Sequence, residues 1–171
     1  MQNYFELFDL ETSFFIDEAA LKSSYQLEIS RFHPDNFATR GEPEKLQALQ
    51  NTSLLNSAYN ALKAPLSRAS YLLKLQGVDA FDEKDTVMEE AFLIFQIELR
   101  DELEAIEEKK DSLGLDDFIE RIDSFIEEKI ELISEAYSLA SDQQVIKKHV
   151  RELKFFDQLY KEANSLMDEW F

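Results

Sequence analysis

The 171-residue chain has no cysteine, only three glycines and three prolines, and half as many basic as acidic residues, 18 against 36. Without cysteine there are no disulfides, no thiol nucleophile and no thiolate-held zinc or iron–sulfur centre. The scarcity of glycine and proline, beside 44% hydrophobic content and 14 phenylalanines, suits long helices with a packed interior and argues against disorder. A net charge of −18 disfavours nucleic acid and anionic membrane surfaces. No apolar run approaches membrane-spanning length, and no basic-then-apolar leader or Arg-rich presequence opens the chain. The expectation is a soluble, cytoplasmic protein.

Charge is unevenly distributed. Residues 1–76 carry 7 Lys/Arg against 9 Asp/Glu, and residues 77–171 carry 11 against 27, so the nets are −2 and −16. The shift falls near GVDAFDEKD (77–85), which reads as a linker between two domains, 1–76 and 86–171.

In the first half, YFELF (4–8) reads as a short helix. Asp17 is a good N-cap for the next, which places Leu21, Tyr25, Ile29 and Phe32 at helical spacing. Pro34 ends it, because proline lacks a backbone donor and pushes His33 out of the helical region. NFATRGEP then reads as a loop, followed by a helix from Glu44 with Leu46, Leu49, Leu55, Ala58, Tyr59 and Leu62 in register. Pro65 opens a further short helix that Gly77 closes. The second half reads as three long helices over about 86–110, 115–139 and 142–169, with DSLG as the first turn between them; connections this short imply an antiparallel bundle. The fold class expected is all-α.

Two features go beyond packing. The first is His33-Pro34-Asp35, displayed at the break between two amphipathic helices. No nucleophile accompanies it. The only other histidine, His149, lies among Lys147, Lys148 and Arg151, offers no metal-ligand spacing, and is expected to be solvated. No metal, cofactor or catalytic residue is expected. The second lies on the first long helix. Met88, Phe92, Phe95, Leu99, Leu103 and Ile106 fall within about 80° of one another and form a core stripe, while Leu93, Ile94 and Ile97 are centred some 170° away. Each aliphatic would contribute about 1.5–3 kcal/mol if buried. A partner surface, packing against the other domain, an extra-wide stripe in a tightly wrapped bundle and a homodimer all answer that geometry. On the last helix, Phe155 lies about 140° from the centre of the stripe of Ile146, Val150, Leu153, Phe156, Tyr160, Ala163 and Met167, where flank packing and binding are both open.

HPD between two helices, ahead of the NxAYxxL segment (Asn56, Ala58, Tyr59, Leu62), resembles the J domain, a co-chaperone module that stimulates DnaK-class ATPases. The link PLSRASYLLKLQG, with AFLIFQIELRDEL (91–103) and VRELKFFDQL (150–159), is similar to the HscB-type co-chaperones of iron–sulfur cluster assembly, essentially end to end. The resemblance implies an N-terminal J domain and a C-terminal three-helix bundle. It implies that His33, Pro34 and Asp35, with the basic Lys22 and Arg31, meet an HscA-type ATPase chaperone. It also implies that Leu93, Ile94, Ile97, Glu98, Asp101 and Phe155 receive an IscU-type scaffold. Such a protein is a monomer and no enzyme itself, but raises its partner's ATPase rate. The alternative is a J-domain co-chaperone for a different client.

Overall fold

The computed structural model describes residues 2–82, 84 and 88–171. The backbone divides into two compact units, the first ending at Gln76 and the second beginning at Gly77. Among the described residues every regular element is helical.

In the first unit, α1 (Tyr4–Leu7), α2 (Glu18–Arg31) and α4 (Pro65–Leu75) are gathered around α3 (Glu42–Leu62). Asn3 caps α1 with a full capping box, and Asp17 caps α2 by accepting from the amides of Ala19 and Ala20. The core is Phe5, Phe8, Leu21, Leu55, Ala58, Leu62, Ala69 and Leu73. The NxAYxxL segment has a packing role throughout. Ala58 and Leu62 are fully buried, Tyr59 stacks on Tyr25, and the Tyr25 hydroxyl donates to the Asn56 side chain. This locks α2 to α3.

Two sequence expectations shift here. The loop NFATRGEP is shorter than expected, because Pro34–Phe37 forms a 3-10 helix and α3 begins at Glu42, with Pro43 in its first turn where no amide is needed. Leu46 and Leu49 are exposed, and Ala48 is the buried residue of that stretch: the first turns of α3 run beyond the core.

The second unit is a three-helix bundle of α5 (Glu90–Lys109), α6 (Ser112–Ser138) and α7 (Gln143–Trp170). The expected start of the first long helix at 86 lies outside the described residues, as do Glu83 and Asp85 of the expected linker. The α5–α6 connection is tighter than a DSLG turn. Lys110 takes the left-handed conformation (φ 49°), and Asp111 caps α6 by accepting from the Gly114 amide at 2.9 Å, so Ser-Leu-Gly is already the first helical turn. A Cβ on Gly114 would collide with that capping carboxylate, which explains a glycine at this helical position. The shared core joins Phe92, Leu99, Leu103 and Ile106 to Phe118, Ile122, Phe156 and Leu159, with Met88 and Phe95 half-buried against it. Residues just before α5 pack on this unit: Ala80 is buried, its carbonyl accepts from Arg151 Nη1 at 3.3 Å, and Lys154 lies over the Phe81 ring.

Candidate functional site

The His-Pro-Asp loop is a small constrained structure. His33 has extended backbone (φ −60°, ψ 138°), as the residue before a proline must, and serves as N-cap of the 3-10 helix that Pro34 opens. His33 Nδ1 accepts from the Asp35 amide at 3.2 Å and lies 3.5 Å from Asp35 Oδ2. Asn36 ties the loop back to α2, donating from Nδ2 to the Ser30 carbonyl at 2.9 Å, while Phe32 and Phe37 stack beneath. The Asp35 side chain remains 91% exposed. The result is an exposed carboxylate carried on a constrained loop, suited to charge-assisted bonding with a partner's guanidinium. Behind it lies an apolar cleft of about 430 Å³ walled by Phe32, Pro34, Phe37, Ala48 and Leu49.

The two cations expected beside this loop are not brought together. Both Lys22 and Arg31 are exposed on α2, but nine residues at 100° each place them on opposite sides of the helix, about 180° apart. Arg31 is also engaged with Glu28 at 2.9 Å. There is no single basic face.

The aliphatics of α5 stand in solvent as their spacing suggests: Leu93 is 43% exposed, Ile94 50% and Ile97 61%. Glu98 and Asp101, both exposed, border them. Phe155 is not beside them at the surface. It is 8% exposed and belongs to the bundle core, edge-on to Phe92 and Phe156, with the Arg100 guanidinium 5.5 Å above its ring. In the bundle this flank residue is packed.

His149 differs from its expectation as well. It is largely buried, with Nδ1 lacking a hydrogen bond among the described residues and lying 4.0 Å from Glu152 Oε2. Burial, helped by the nearby Lys129 and Lys148 charges and opposed by Glu152, holds its pKa below the ordinary histidine value. Its neighbour Glu152 is buried and pairs with Lys129 across α6 and α7. Sequence reading missed this pair, and it missed Arg68. Arg68 is buried in the first unit, donating to the Phe14 carbonyl from Nε at 2.8 Å and to the Leu62 carbonyl from Nη1 at 2.7 Å. Both have a signal in hindsight: Arg68 lies four residues before Leu72 and Glu152 four before Phe156, each a charge on the apolar side of its helix.

A helical hairpin that displays a fixed His-Pro-Asp loop, followed by a three-helix bundle with an apolar face in solvent, defines an all-helical J-domain co-chaperone of two units. The family model described as the HscB C-terminal oligomerisation domain matches residues 88–164. The chaperone HscB from Vibrio cholerae is 34% identical, over 99% of this chain and all of that one, with a TM-score of 0.85. The chain belongs to the HscB co-chaperone family. The human co-chaperone HscB is 29% identical over 96% of this chain and 81% of its own, with a TM-score of 0.84. The Jac1 co-chaperone from Saccharomyces cerevisiae, 24% identical over 96% of this chain and 94% of that one, shares the fold with a TM-score of 0.76.

Proposed function

We propose that the chain delivers an IscU-type iron–sulfur scaffold protein to an HscA-type ATPase chaperone and accelerates ATP hydrolysis there, promoting cluster transfer. Residues 1–76 act as the stimulating module, 77–85 as linker and 86–171 as cargo module. His33, Pro34 and Asp35 engage the ATPase, with Lys22 and Arg31 as separate flanking contacts rather than one basic face. Leu93, Ile94 and Ile97 receive the scaffold, bordered by Glu98 and Asp101, with Phe155 supporting them from the core.

The observation that carries this reading is the Leu93–Ile94–Ile97 face, which is exposed on a helix whose opposite side already supplies the bundle's core. Three half-exposed aliphatics forgo roughly 1 kcal/mol each, and a docked partner recovers it. With no cysteine, the chain cannot hold a cluster through thiolates. It therefore presents the protein that does.

The test is the ATPase rate of the HscA-type chaperone with this protein, with and without the scaffold. Wild type stimulates, the scaffold adds synergistically, and Asp35→Ala abolishes both effects while scaffold binding persists. Stimulation without synergy would leave the J module in place and remove the scaffold as cargo.

A second reading is favoured by the matched domain's description as an oligomerisation domain: the same face joins two copies of the chain. Sedimentation separates the two, since only self-association predicts a lower mass for Leu93→Glu.

A further inference from the structure

Leu93, Ile97 and Arg100 follow one another along α5 at intervals of four and three residues, which places them on one ridge with neighbouring side chains about 5–6 Å apart. The first two are exposed aliphatics; the third is a cation placed over an aromatic ring. The Arg100 guanidinium sits 5.5 Å above Phe155, and its Nη1 donates to Glu162 Oε2 of α7 at 2.9 Å. Arg100 and Glu162 are each about half exposed, so water competes for the pair and it is a weak tie. Phe155, by contrast, is almost wholly covered. It packs edge-on against Phe92, the residue next to Leu93. One half-exposed side chain, held by a weak ion pair and its contact with the ring, therefore stands beside both the exposed aliphatics and a large apolar ring.

We propose that Arg100 and Glu162 form a latch over Phe155, and that the scaffold, on docking against Leu93 and Ile97, displaces Arg100 and takes the ring into an enlarged apolar face. The proposal rests on the scaffold reading above and adds two residues to it. In the unbound protein the latch keeps an aromatic ring out of water, limiting the apolar surface that would otherwise invite non-specific association. On docking, Arg100 swings to solvent at small cost and the contact grows by much of one aromatic face. Arg100 is a positioning residue here, and Phe155 contributes contact area only after it moves.

Glu162→Gln is the discriminating variant, because it loosens the hold on Arg100 while also removing a negative charge. If simple attraction between this acidic protein and a basic scaffold governed the site, binding would weaken. Release of the latch predicts the opposite, scaffold binding about two- to threefold tighter by calorimetry, the size expected on losing an exposed ion pair. The gain disappears in a Phe155→Leu background, whose folding is checked by thermal melt. Independently of the scaffold, fluorine NMR of 4-fluorophenylalanine placed at position 155 shows a larger solvent-isotope shift in Glu162→Gln than in wild type. Unchanged or weaker binding, or a gain that persists without the ring, overturns the latch. A fluorine signal that opens as expected in a protein that never binds scaffold upholds the latch as a cover and overturns the scaffold as its trigger. A signal that does not open overturns the latch itself.

Discussion

Arg68 shows how much one side chain contributes. It closes the first unit by bonding two carbonyls, Phe14 before α2 and Leu62 at the end of α3, while its guanidinium covers the Phe14 ring at 5.0 Å. Burial lowers its pKa, partly offset by Glu18 3.9 Å away. Truncation would strand two buried acceptors and open a void. We expect Arg68→Ala to cost about 3–4 kcal/mol, read as a lowered urea midpoint at unchanged slope. His149 makes a second prediction, on pH. Its folded pKa is depressed below the unfolded value, so the unfolded chain binds more protons and stability is lost as pH falls through the folded pKa. The groups facing it are Lys129 from α6 and Lys148 and Glu152 from α7. The melting temperature should therefore fall on going from pH 7.5 to 5.5, and His149→Gln should flatten that slope. A slope unaffected by the substitution would assign the acid sensitivity elsewhere. At the alkaline end, burial pushes the Tyr137 phenol up to about 12.

At the scale of the element, the helix ends carry the predictions. Ala140 follows α6 in the left-handed conformation (φ 49°), while the Ser141 amide returns to the Ala136 carbonyl at 2.8 Å, a closing turn that favours glycine. Ala140→Gly should stabilise the protein by about 0.5–1 kcal/mol, since the Cβ is strained there and glycine is not. Asp111→Ala removes the α6 cap and should cost about 1 kcal/mol. Both are measured by chemical denaturation, and a reversed sign for either would mean that the adjoining turn is set by packing and not by these residues. The ends were also where sequence reading was least accurate. Proline and glycine located the breaks at Pro34, Pro65 and Gly77, and the Asp17 cap located the start of α2, but Pro43 and Ser-Leu-Gly read as loop because the residues that shun a helix's interior are those its first turn accepts.

At the scale of the whole molecule, the proposed roles lie on different units, the HPD loop before Gln76 and the aliphatic face after Gly77. Their losses should be separable. Leu93→Ala combined with Ile97→Ala should weaken scaffold binding at least tenfold while leaving unassisted ATPase stimulation intact, and Asp35→Ala should do the reverse. Loss of both activities in either folded variant would contradict the division.

Helix positions, the exposed HPD loop and the outward Leu93–Ile94–Ile97 face were determined by the sequence alone. Periodicity, caps and proline act over a turn or two of chain, so a local pattern suffices to read them. Only the tertiary structure decided what became of residues on a stripe's flank. Leu93 and Phe155 both lie off their core stripes, yet one stands in water and the other under Arg100 and against Phe92. Glu152 is buried and His149 largely covered because α6 passes beside them with Lys129, and Arg68 is buried because two carbonyls meet it from other parts of the chain. A helical wheel specifies direction from one axis. Burial depends on what neighbouring helices bring to that side, and that is a property of packing.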